Sequence, residues 1–154
     1  MSILNNPNRI PESYGLRIAG GLIAYFLLMK LIGMSDHVEL RLLNLLILVA
    51  GVFFALRKFK ETHGKHLNYF VALATGVATA AIGSVLFALF LFIWMKVDSN
   101  MMQHIIDTEP MGHYLNPYMA AFIVALEGVF SGLLVTFVLI NYIHTDEVGG
   151  IEKG

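Results

Sequence analysis

One carboxylate, Glu127, stands inside an apolar run of bilayer length, residues 117–143, and the small residues Gly128, Ser131 and Gly132 follow it closely. An ionisable group in hydrocarbon is costly and normally faces protein or water, which makes Glu127 a candidate proton or cation site. The plainer reading is a neutral or paired acid that hydrogen-bonds to another helix and fixes the bundle. Counted from Pro117, it lies about 15 Å along its helix. Lys30, near the end of the first apolar run, is its candidate partner because a long side chain can bend toward that depth; Arg41 is a weaker one.

Six histidines, His37, His63, His66, His104, His113 and His144, raise the question of metal or haem. Most fall in links. His66 and His144 reach the same end of the bundle, but no spacing specific to axial haem ligation supports that use. His104 and His113 with Asp107 and Glu109 have the chemistry of a divalent-ion site, but the link around Pro110 supports it weakly. Interfacial histidines are the favoured reading, so neither a metal nor a cofactor is expected. The absence of cysteine removes thiolate sites and thiol nucleophiles. There is no nucleophile elbow, phosphate loop or His-Glu-x-x-His helix. Ser84 and Ser131 lack an intramembrane histidine base and read as packing residues.

The elements that position these groups follow from composition. At 57% hydrophobic and 14% charged residues, the chain is far from the soluble norm, and a net charge of -1 excludes a generally basic nucleic-acid binder. One membrane domain, 1–154, is expected, with spans at about 15–34, 40–57, 67–97 and 117–143. Asn5 to Ser13 reads as a solvated tail without the features of a cleaved signal peptide. Residues 98–109 are amphipathic, with Met101, Met102, Ile105 and Ile106 opposite Gln103, His104 and Asp107, as in a short interfacial helix. Asn116 and Pro117 suit the start of the last span. Four spans with short links predict an all-α, antiparallel four-helix transmembrane bundle with a short external amphipathic segment.

Arg57, Lys58, Lys60 and Lys65 make the link after span two the most basic stretch. The positive-inside rule then puts both termini in the cytoplasm. Membrane helices associate through close packing and interhelical hydrogen bonds, so small residues mark contact faces. In span three Ala72, Gly76, Ala80 and Ser84 recur every four positions, with Thr75, Thr79 and Gly83 alongside; Gly128 and Gly132 repeat the spacing in span four. These predict a seam between spans three and four. Gly20 and Gly21 are candidates for the same role in span one, and Asn44 for an interhelical hydrogen bond.

Tyr14-Gly15-Leu16, Ala55-Leu56-Arg57-Lys58-Phe59-Lys60, and LNYFVALATGVATAAIGSVLFALFLFIW ahead of Met101-Met102 are the stretches that carry a family resemblance. Together they resemble an uncharacterised domain-of-unknown-function family of small, four-span bacterial inner-membrane proteins. The resemblance implies a bacterial plasma-membrane location and a compact four-helix domain, with no reaction and no catalytic residues. The leading functional reading is a non-enzymatic accessory, scaffold or assembly component, in contact with lipid and with another membrane protein or further copies of itself. The alternative is an oligomeric proton-coupled transporter of a small solute using Glu127, resembling the small four-span multidrug exporters, whose membrane glutamate lies in the first span.

Overall fold

The computed structural model describes residues 9–33, 39–63 and 68–149 and, for 39–41 and 144–149, the backbone alone. Helix α1 (Ile10–Ile32) starts ahead of the expected apolar run, because Pro11 sits in its first turn where no intrahelical N–H is needed. It stops at Gly33, whose φ of 75° turns the chain left-handed and lets its N–H reach the carbonyls of Lys30 and Met29. Helix α2 (Glu39–His63) continues through Arg57, Lys58 and Lys60, residues expected in a link. Nothing in Arg57-Lys58-Phe59-Lys60 breaks a helix. Glu61 sits 3.5 Å from Arg57 and 3.4 Å from Lys58 one turn away, and Phe59 is buried in the core.

Asn68 caps α3 (Tyr69–Val97) by accepting the N–H of Phe70 at 3.1 Å. Helix α4 (Ser99–Thr108) follows after one residue, then a 3₁₀ turn at Gly112–Tyr114. Asn116 caps α5 (Pro117–Gly149) by accepting the N–H of Met119 at 2.8 Å. Among the described residues four helices are long and apolar enough to cross a membrane: Ile10–Ile32, Leu42–His63, Tyr69–Val97 and Pro117–Ile143. The chain is therefore an all-α, multi-pass membrane protein, a helical bundle with α4 at one end. Among the described residues there is no strand.

Helix α3 is the hub, packed against α1, α2 and α5. Its small residues divide between two seams. Gly76, Ala80 and Ser84 meet Thr136, Gly132 and Gly128 of antiparallel α5 in that order, each pair so close that a Cβ at the glycine would overlap its partner. Thr79 and Gly83 instead face α1: a Cβ at Gly83 would stand 2.8 Å from Cγ2 of Ile18, and one at Gly15 would stand 2.7 Å from Cγ2 of Ile82. Ile18 also fills the hollow at Gly51 of α2, so one isoleucine plugs a gap between three helices. A Cβ at Gly20 would meet nothing within 4 Å, because its side of α1 is exposed; one at Gly21 would stand 3.3 Å from Cγ2 of Ile47 on α2. Contact through α1 therefore belongs to Gly15 and Ile18 rather than to Gly20. Buried Thr79 and Thr136 donate to carbonyls one turn back, Thr75 at 2.7 Å and Gly132 at 2.6 Å, which satisfies their hydroxyls without a partner helix.

Candidate functional site

Helix α2 packs tightly at one end and loosely at the other. Leu48, Val52, Ala55 and Leu56 are buried, whereas Leu42 and Leu46 remain 64% and 63% exposed at the end nearer α4. The loose end leaves a cleft of about 430 Å³ between α2 and α5, backed by α1 and α3. Leu22 and Phe26 of α1, Phe87 and Leu91 of α3 and Val124 of α5 supply apolar walls. Met101 and Ile105 of α4 also line it.

That apolar face of α4 has Met102 buried and Ile106 packed on the same core, while Gln103, His104 and Asp107 are exposed. Gln103 donates to Asp107 at 3.3 Å across the outward side. The helix thus lays its apolar stripe on the bundle's own end, where it roofs the cleft.

Four polar residues line the same space: Asn44, Ser84, Glu127 and Ser131. Glu127 is placed by the α3–α5 seam. Because Gly128 abuts Ser84 and Gly132 abuts Ala80, the preceding residue is carried to the flank of α5 that borders the cleft, where Glu127 is exposed. Among the described residues none donates a hydrogen bond to its carboxylate or pairs with it. Oδ1 of Asn44 is buried and likewise has no partner among them, so this asparagine is not the interhelical strut that its position in an apolar run suggests.

Lys30 is not brought to Glu127. Its ammonium bonds to the carboxylate of Asp98, at the junction of α3 and α4, and stands 4.7 Å from the ring centroid of Trp94. The hydrogen bond and charge of Lys30 outweigh partial desolvation and hold the Asp98 carboxyl below its usual 3.8, helped by the amides of Met101 and Asn100. Asp98 is the residue that sequence reasoning missed. Lys30 and Asp98 end two helices that run in the same direction, α1 and α3, so their matching depth was the available signal.

Ala72, Gly76, Ala80 and Ser84 are all buried along α3, the last three on the α5 seam; Ser84 also borders the cleft. His63 stacks on Phe59, and the ring of His113 lies tilted against that of Tyr114. His37 and His66 lie outside the described residues, as do the side chains of Arg41 and His144. Among the described residues no three His, Asp or Glu side chains cluster as metal ligands would. The arrangement gathers one carboxylate, two hydroxyls and one amide around a cleft with apolar walls.

No curated protein and no solved structure matches the chain. A family described as a protein of unknown function, DUF4199, matches residues 13–111, a span that takes in α2, α3, α4 and most of α1 and ends before Glu127.

Proposed function

The chain belongs to the DUF4199 family of proteins of unknown function, and from that footing we propose that it is a proton-coupled transporter of a small solute, with Glu127 as the proton carrier. One observation carries the reading. A carboxylate with no donor among the described residues opens on a cleft walled mainly by apolar side chains, within a helix long enough to cross the bilayer. A carboxylate there is held either by a proton or by a bound group that replaces it, because a bare charge in low dielectric is costly. Solute and proton therefore compete for one site, and the movement of one is tied to the return of the other.

The setting proposed is a bacterial inner membrane with both termini cytoplasmic. Arg57, Lys58 and Lys60 gather at the end of α2 away from α4, which supports that orientation and turns the cleft outward. A second reading, a non-enzymatic accessory or scaffold component, draws on the broad exposed face of α5, where Phe122, Phe130, Leu134 and Phe137 are each more than half exposed. That face suits a further copy of the chain or another membrane protein, and a partner helix would then supply the donor for Glu127.

Proton flux in proteoliposomes separates the two. Transport requires solute-dependent flux in the wild type that disappears in Glu127→Gln, a change that keeps size and hydrogen-bonding capacity. Equal flux in both proteins would remove Glu127 as the carrier. No flux in either, with the folded protein verified, would favour the accessory component.

A further inference from the structure

We propose that the solute held in this cleft is a protonated organic amine bearing a short apolar chain, which reaches Glu127 sideways from the lipid. The inference rests on the reading of the cleft as a solute site and names its chemical class.

Charge and hydrogen-bonding polarity both point this way. Glu127 presents an acidic carboxylate, Asn44 an unpartnered acceptor oxygen, and Ser84 and Ser131 hydroxyls that can accept. Among the described residues no lysine, arginine or histidine lines the cleft, and Lys30 is bound by Asp98. An anionic solute would meet a carboxylate with no compensating charge. A neutral alcohol cannot take the place of the proton that otherwise answers that charge. An ammonium group answers it and brings N–H donors for the remaining acceptors, with charge-assisted bonds about twice as strong as neutral ones.

The rest of the solute is specified by the hydrocarbon and aromatic walls, Leu22, Phe26, Phe87 and Leu91 among them. A volume of about 430 Å³ suits a small molecule rather than a helix. Access follows from the roof. Met101 and Ile105 of α4 cover the end that faces water, whereas the exposed leucines of α2 leave the side toward lipid open. An amine with an apolar tail already partitions into that lipid. Each ammonium that enters displaces one proton from the Glu127 carboxyl to water, so the charge within the cleft is unchanged.

The test is equilibrium dialysis of the full chain in lipid nanodiscs, with empty nanodiscs subtracted, against hexylamine, hexyltrimethylammonium, hexanol and hexanoate. Hexylamine should bind saturably, and each of the others at least about tenfold more weakly. Glu127→Gln should weaken hexylamine by about tenfold or more, and Asn44→Leu by about threefold, the loss of a charge-assisted contact and of a single acceptor. Leu45→Trp, at a half-exposed position on the cleft wall, should plug it and abolish binding even if the Glu127 variant fails to fold. Hexanol binding as tightly as hexylamine, or undiminished binding in Leu45→Trp, would overturn the inference. Equal affinity for hexyltrimethylammonium would overturn the N–H donor requirement, and with it the amine. Glu127-dependent proton flux driven by a non-amine, with no hexylamine binding, would sink the amine and leave the transporter standing. Saturable, Glu127-dependent hexylamine binding without flux would do the reverse.

Discussion

Thr136 rests its side chain directly against the backbone of Gly76, so α5 and α3 meet at that level with no side chain of α3 between them. The contact belongs to a ladder in which Ala80 and Gly132, then Ser84 and Gly128, repeat the close approach one turn further on each time. Glu127 depends on this ladder for its position. Any residue that forces the two helices apart also rotates or lifts the carboxylate away from the cleft.

Gly76→Leu should therefore lower stability by at least about 1–3 kcal/mol, the range for overpacking a filled interior. Gly76→Ala should be milder, and Thr136→Ser should partly restore it by removing the methyl that the new Cβ would meet. Thermal unfolding of the purified protein in detergent reads all three. Unchanged melting of Gly76→Leu would mean that this face of α3 is not packed.

Ile18 predicts the opposite kind of loss. It is 2% exposed and fills hollows at Gly51 and Gly83 on two other helices, so Ile18→Ala leaves a cavity that neither glycine can close. The expected cost is about 2–5 kcal/mol, with Ile18→Val at about 0.5–1.5 kcal/mol. Gly20→Ala, on the open side of the same helix, should be close to neutral in the same assay.

The Lys30–Asp98 pair predicts a pH dependence. The Asp98 carboxyl is held below its usual 3.8 by the Lys30 bond, so the pair's contribution to stability is fully present above that value. It is lost as pH falls through the lowered folded value. Melting temperature measured from neutral pH down to the acid limit should show this step in the wild type, and Asp98→Asn should lack it. An identical acid profile in the variant would show that the pair contributes nothing.

Orientation is tested by single cysteines at Thr62 and Thr108, both exposed and at opposite ends of the bundle. An impermeant thiol reagent should label only the Thr108→Cys protein from the external side. Labelling of Thr62→Cys instead would invert the proposed topology.

What the sequence made legible was governed by local rules. Apolar runs and the Asn116-Pro117 cap located the helices, and the alternation around Met101 and Asp107 located α4, because each depends on neighbours along one chain. The four-residue recurrence from Gly76 to Ser84 identified a small face, and the structure seats it on α5. The share taken by α1 was not visible: Thr79 and Gly83 look no different in sequence from their neighbours, and which helix each meets depends on how α1 is rotated. The Arg57–Lys60 stretch reads as a link from its charge alone, although the same residues are good helix formers. Glu127 was identifiable as an oddity in an apolar run. That it borders a cleft was not, because the cleft exists only where the end of α2 stands away from α5.

The position of α3 as the hub bears on how the chain is made. Helices emerge from the ribosome in order, and N-terminal parts organise first. At that stage α1 and α2 have only each other, joined where Ile18 enters the hollow at Gly51. Arrival of α3 brings Gly83 onto the other side of Ile18 and completes that joint. The second seam of α3 then waits for α5, which follows α4 along the chain. Glu127 thus enters a membrane in which the other three described spans are already assembled, and the acid is committed to the bilayer only once Gly128 and Gly132 have a groove to dock in. A chain truncated before α5 would present that groove, unfilled, to the insertion and quality-control machinery.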